Sequence, residues 1–244
     1  MPRFFAPSDA FADGTITITG DDAHHIARSL RMAEGDEVTV CDMHGCEHSC
    51  RLIRIRDEEC VAEILSSKQS DTEPPAMIAL FMAYPKADKL EIVTQKAVEL
   101  GASRIIPFES SRCIKRPKAE KAEKNTRRLQ KIAEEAAKQC GRGKLPEVCE
   151  PTDFGGMIKL AKEYDLTLFC YEGDGTRTLK EILTSAEKKG TIAVIVGSEG
   201  GFSHDEAEKA KEAGFAMTGL GKRILRCETA PSFALSSLVY ELEL

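Results

Sequence analysis

The sequence predicts an α/β protein in which a small all-β unit precedes a largely parallel sheet covered by helices on both faces. Three observations carry that expectation. Short β-rich runs crowd residues 1–65, a polar stretch containing paired prolines follows at 66–75, and apolar runs then alternate with amphipathic helical stretches. The division places a β unit at residues 1–70 and an α/β unit at 74–244.

In the first unit, TITIT (15–19), DEVTVCDM (36–43), HSCRLIRI (48–55) and ECVAEIL (59–65) read as strands separated by turn-formers. Asp21 or Asp22 is placed to cap a short helix, AHHIARSLRM, whose end Gly35 marks. Several short strands around one helix predict a small barrel. SSKQSDTEPP (66–75) reads as a linker.

In the second unit, MIALFMAY is the continuous apolar run expected of a strand buried on both faces. KADKLEIVTQKAVELG is an amphipathic helix stopped by Gly101. RIIPF, LTLFCY and TIAVIVG are further strands, with helices near 119–140, 152–164 and 177–189. Ser203, three residues before Glu206, forms a capping-box pattern that opens HDEAEKAKEAG.

At 244 residues, 42% hydrophobic and 30% charged, the chain can bury a real core and is neither disordered nor fibrous. No apolar run approaches the roughly 18 residues of a membrane span. The opening MPRFFAPSDAFADG lacks a charged region followed by an apolar one, so no signal peptide is expected. Nine cysteines without such a signal predict reduced thiols and a cytoplasmic location. The net charge of −6 weighs against a nucleic-acid partner until its distribution is read. Residues 112–144 hold twelve Lys and Arg against four Glu, a local balance of +8, which leaves −14 elsewhere. A basic segment of that kind can supply phosphate contacts, although a solvated helix face is the plainer reading.

Four segments are candidates for chemistry. VGSEGGFS (196–203) lies between a strand and a capped helix, where adjacent glycines admit a ligand and the helix start offers free N–H groups. It is not a Walker loop, because the spacing fails and no Lys follows. LGKRILRCETAPS (220–232) places Gly221, Arg223, Arg226, Glu228 and Thr229 close together, and Arg226 and Glu228 need either each other or a ligand as partner. On a helix over 119–142, Arg128, Lys131, Glu135, Gln139 and Arg142 fall within about 80° of one another. Leu129, Ile132, Ala133, Ala136 and Cys140 take the adjacent, packing face. In CDMHGCEHSC (41–50), strand alternation puts Cys46, His48 and Cys50 on one face without a convergent fourth ligand, so no metal is expected.

The stretches ITGDDAHHIARSLRMAEGD, KADKLEIVTQKAVELGASRIIPF, IAEEAAKQCGR, VGSEGGFS and LGKRILRCETA together resemble the RsmE family of small-subunit ribosomal RNA (uracil-N3) methyltransferases, in the SPOUT superfamily. The likeness runs from Arg3 nearly to the C-terminus. It implies a PUA-like β-barrel, a SPOUT-type α/β domain tied in a C-terminal trefoil knot, a homodimer, and S-adenosylmethionine held in the knot loops. By motif, the cofactor residues are Tyr171, Glu172, Val196, Gly197, Ser198, Glu199, Gly200, Gly201, Leu220, Gly221, Ile224, Leu225, Arg226, Glu228, Thr229 and Ala230. Ser198 stands where the family usually has Pro, Cys227 where it has Thr, and Cys113 where it has Ser. For dimerisation, the C-terminal PSFALSSLVYELEL offers Phe233, Leu235, Leu238 and Val239, which a core helix would equally use.

The resemblance also implies 16S ribosomal RNA as the partner, within the small subunit. Arg28 and Arg31 of the barrel, with Arg128, Lys131, Gln139 and Arg142, are then expected to grip RNA. Arg226 is the candidate to stabilise a deprotonated uracil, and Glu199 or Glu135 to accept its proton. Other readings compete: a non-catalytic RNA-binding protein with a vestigial cofactor fold, a methyltransferase of another RNA, and a nucleotide-binding enzyme using GSEGG as a phosphate loop.

Overall fold

The computed structural model describes residues 1–114, 119–187 and 189–244, which form two compact units. The first comprises Met1–Glu73 and Ala137–Leu145, the second Pro74–Ala136 and Pro146–Leu244. A later segment thus completes the first unit, which a continuous 1–70 domain leaves out.

The first unit contains β1 (Arg3–Phe5), β2 (Phe11–Ala12), β3 (Thr15–Thr19), α1 (Gly20–His24, continued by a π turn at His25–Ser29), β4 (Glu37–Cys41), β5 (Cys46–Ile55) and β6 (Glu59–Gln69). The sheet order is β1-β4-β5-β6-β3-β2, antiparallel except for β1 beside β4. Alternation sets the faces: Ile16 and Ile18 of β3 and Val38 and Val40 of β4 are buried with Phe4, Ile26 and Leu52. Two expectations change. The linker begins later, because β6 runs through SSKQ to Gln69. Thr19, not Asp21 or Asp22, occupies the N-cap position of α1, and both aspartates sit in its first turn.

At the β4–β5 turn, Asp42 Oδ1 accepts the N–H groups of His44 and Cys46, at 2.8 and 2.9 Å. A register shift between Ser49 and Cys50 breaks the alternation, so Cys50 is buried in the core. Cys46 and His48 instead gather with Asp42, one ligand-type atom of each lying within 4.8 Å of the others.

Arg142 also belongs to this unit, and its expected contact with RNA phosphate is corrected. It is 3% exposed, and its Nε and Nη2 donate to Glu73 at 2.9 and 2.7 Å. The N–H groups of Gly143 and Lys144 donate to the same carboxylate. Burial pushes the Glu73 carboxyl up, but Arg142 and these N–H groups outweigh it and hold it below its ordinary value. The physical reason is that the helix ends at Cys140 and Gly141 turns the chain at φ +82°, so helical periodicity no longer places Arg142.

The second unit contains β7 (Met77–Ala83), α2 (Lys89–Glu99), β8 (Ala102–Glu109), α3 (Ala119–Cys140, whose last residues lie in the first unit), β9 (Glu147–Val148), β10 (Thr152–Asp153) and α4 (Phe154–Ala161). There follow β11 (Leu166–Cys170), β12 (Arg177–Thr178), α5 (Leu179–Ser185), β13 (Thr191–Val196), α6 (His204–Glu212), β14 (Ala216–Gly219) and α7 (Thr229–Glu243). The strand order is β10-β8-β7-β13-β11-β14-β12, with β9 also beside β8, and every pair is parallel. This is the mixed α/β architecture read from the alternating pattern. Central β13 is buried from Ile192 to Val196, as its unbroken apolar run requires. No helix among the described residues is long and apolar enough to cross a membrane.

The Ser203 capping box forms: Glu206 N–H donates to Ser203 Oγ, and Ser203 N–H to Glu206 Oε2. Glu206 also accepts from Ser111 N–H and Oγ–H at 2.7 and 2.9 Å, which fixes the segment after β8 against the start of α6. On α3, Leu129, Ala133 and Ala136 are buried while Arg128, Lys131, Glu135 and Gln139 face outward.

Candidate functional site

Parallel strands all point their carboxyl ends to one edge of a sheet, and the loops that leave that edge can converge. Here the loops after β11, β13 and β14 do so, enclosing a cavity of about 480 Å³. That volume lies within the usual range for a small-molecule site. Tyr171 and Glu172 form one wall, residues 196–199 with Gly201 a second, and residues 219–227 with Ala230 a third.

Three residues expected at the cofactor lie outside this lining. Gly200 is backed by Arg112, whose Nη1 donates to the Gly200 carbonyl at 3.0 Å; a Cβ there would stand 2.9 Å from Arg112 Cβ rather than enter the cavity. Glu228 turns toward Lys89, and Thr229 begins α7. Gly201 is the glycine the cavity wall requires. Its φ is +60°, and a Cβ would approach Glu172 Oε1 to 3.2 Å, where two walls meet.

Lys89, at the start of α2, also lines the cavity. Its Nζ stands 3.1 Å from Glu199 Oε1 and 3.0 Å from Glu228 Oε2. The Lys86 N–H donates to the Glu199 carboxylate as well. Burial pushes Glu199 up, but its own backbone N–H, Lys89 and Lys86 outweigh that and hold it below its ordinary value. Glu228 is lowered by its own backbone N–H and by Lys89. Burial, with the Glu228 contact, pushes the neighbouring Cys227 thiol up to about 12. The acids are therefore ionised and the thiol is neutral at neutral pH.

This arrangement corrects two expectations. The internal ion pair is Lys89–Glu228 and not Arg226–Glu228; the Arg226 guanidinium, exposed on the cavity wall, has no partner among the described residues. Glu199 is a poor proton acceptor, because a carboxylate stabilised by three donors is a weakened base. Glu135 does not line the cavity; it is exposed on α3.

Lys89 and Phe202 were not singled out from the sequence. Lys89 lies 110 residues upstream of Glu199, so no local spacing joins them. Phe202 packs against Phe169, with ring centroids 4.2 Å apart and the rings tilted by 33°, and lines the cavity. Its position directly after the glycines was the available signal. Of the proposed RNA contacts, Arg28 and Arg31 are exposed in the first unit, Arg28 paired with Asp57. On α3, Arg128 pairs with Glu91 at 2.9 Å, and Lys131 and Gln139 are exposed.

Comparison with known proteins agrees with this geometry. The family model described as an RNA methyltransferase domain matches residues 72–239, and one described as an RNA methyltransferase PUA domain matches residues 18–65. A ribosomal RNA small subunit methyltransferase E from Bacillus subtilis is 34% identical, with 94% of this chain and 91% of the relative covered. One from Synechocystis is 31% identical, covering 97% and 76%. The crystal structure of a ribosomal RNA small subunit methyltransferase E from Neisseria gonorrhoeae bound to S-adenosyl methionine superposes with TM-score 0.88 at 32% identity, over 99% of this chain and 98% of that one. The chain belongs to the ribosomal RNA small subunit methyltransferase E family.

Proposed function

We propose that the protein transfers a methyl group from S-adenosylmethionine to N3 of a uridine in 16S ribosomal RNA. The observation that carries this reading is the cavity itself, closed by three glycine-containing loops at the carboxyl edge of a parallel sheet. The residues fit the cofactor. Ser198 Oγ is buried on the wall with no partner among the described residues, as a group awaiting a polar ligand would be. Gly201 leaves open a space that a side chain would strain. The loops also offer apolar surface from Val196, Leu220 and Leu225 for an adenine ring.

When bound, the cofactor supplies a methyl group already activated by its sulfonium, so the protein's task is chiefly positioning. Uracil N3 carries a proton at neutral pH and becomes nucleophilic when it leaves. The negative charge then spreads to the flanking carbonyl oxygens. In this reading Arg226, exposed on the cavity wall, stabilises that charge, since its guanidinium can address a carbonyl with two donors. Glu199, held below its ordinary value, is a weakened base, so the N3 proton passes to solvent water. The reactive edge of uracil is used in pairing, so the nucleotide must be unpaired or extruded.

The same reading includes a PUA-like barrel for the first unit, a SPOUT-type trefoil knot in the second and a homodimer working on the small subunit in the cytoplasm. The nine free thiols support a reducing compartment. For the dimer, Leu235 and Leu238 are buried within the unit, which leaves Phe233 (44% exposed) and Tyr240 (72%) on α7 for a partner. Calorimetry with S-adenosylmethionine and with ATP, followed by mass spectrometry of methylated 16S RNA, tests the activity. Heat from ATP alone would overturn it. In single turnover, Arg226→Ala should lose on the order of a hundredfold to a thousandfold in rate.

A further inference from the structure

We propose that Lys89 is a positioning residue: it ties the loop after β13 to the loop after β14 and so sets the spacing of two walls of the donor cavity. This rests on the cofactor reading of that cavity. Glu199 lies on the first loop and Glu228 at the N-cap position of α7, ending the second. One ammonium contacts both, at 3.1 and 3.0 Å, so the carboxylate oxygens are no more than about 6 Å apart. The backbone beside Lys89 grips the same loop, through the Lys86 N–H on Glu199.

The two walls belong to separate crossings of the sheet, with α6 between them, and the start of α2 is where they are fastened. The three side chains are 24–30% exposed, which limits competition by water. Lys89 already serves two anions, so its role is to hold the walls rather than to bind donor charge. Without its ammonium, two ionised carboxylates would face each other and drive the loops apart. A displacement of about 1 Å at a reacting centre is enough to cost on the order of a hundredfold in rate.

The test compares the parent, Lys89→Met and Lys89→Arg by calorimetry with S-adenosylmethionine and by single-turnover methylation of 16S RNA at saturating cofactor. Lys89→Met should weaken cofactor binding and slow turnover by on the order of a hundredfold. Lys89→Arg, whose planar fork can also bridge two carboxylates, should return both to within about threefold of the parent. Calorimetry separates positioning from mere stability. Irreversibly unfolded molecules lower the binding stoichiometry, and a melting curve well above the assay temperature excludes a reversibly unfolded fraction, so a change in affinity under those conditions reports positioning. Should Lys89→Met fail to fold, the triple variant K89M/E199Q/E228Q removes the tie without the carboxylate repulsion and should still weaken cofactor binding and slow turnover by more than about threefold. A parent that binds no S-adenosylmethionine overturns the cofactor reading and this proposal with it. A parent that binds, beside a folded Lys89→Met or triple variant within about threefold in affinity and rate, overturns the Lys89 proposal alone.

Discussion

Replacing Arg142 by Met keeps an apolar stem and removes the guanidinium that holds Glu73. Breaking a buried ion pair from one side typically costs about 3–5 kcal/mol, because the remaining charge is left without its partner. Glu73 would retain the Gly143 and Lys144 N–H groups and its side chain is 17% exposed, so the low end, about 3 kcal/mol, applies. For a unit of this size that corresponds to roughly 12–24 °C in melting temperature. Hydrogen exchange read on peptides from β4 and β5 localises the effect, with the slowest amides exchanging faster by a factor of about 150. The pH dependence has a definite sign. The folded Glu73 value lies below its ordinary 4.5, so its contribution is complete above that value and is lost as pH falls through the folded value. The variant should therefore show a flatter acid limb than the parent. Unchanged exchange in β4 and β5, together with a reduced salt dependence of RNA binding, would refute the inward placement of Arg142.

Three more outcomes are expected. Phe202→Ala should cost roughly 3–5 kcal/mol in denaturant unfolding, since the ring is 4% exposed and packed against Phe169; a loss under about 1 kcal/mol would show that the cluster collapses around the gap. Cofactor affinity should be constant above pH 4.5 and fall as the Glu199 and Glu228 carboxyls protonate at their lowered values, which titration calorimetry across the acid range checks; a fall already complete above pH 4.5 contradicts the tie. Arg128→Ala with Lys131→Ala should reduce the log–log salt slope of RNA binding by about two, and an unchanged slope removes α3 from the RNA surface.

What the sequence made legible were features set by local rules. β3 announced itself by alternation, β13 by an unbroken apolar run, and α6 by its capping box. The loops after β13 and β14 were also readable, because they sit at strand-to-helix turns whose chemistry is local. Features set by distant pairing were not. Lys89 acquires its meaning from Glu199 and Glu228, and no periodicity predicts that meeting. Cys50 follows alternation until a register shift turns it inward. Helical periodicity puts Arg142 on the basic face, but the helix stops two residues earlier, at Cys140, where Gly141 turns the chain. The return of Ala137–Leu145 to the first unit left no compositional trace, since its anchor is a carboxylate in the polar stretch before Pro74.

The place of β13 in the sheet has a consequence for how the chain is made. β7 pairs with β8 on one side and β13 on the other, with Met77 opposite Thr191. Its first neighbour follows it closely in the chain, while its second is 114 residues away. At a synthesis rate of about 5–20 residues per second, that edge of MIALFMA stays open for roughly 6–23 s. Open apolar edges invite pairing with other chains. The hazard of misassembly is therefore concentrated in the interval before TIAVIV leaves the ribosome, and slowing translation between residues 110 and 190 should raise aggregation more than slowing it elsewhere.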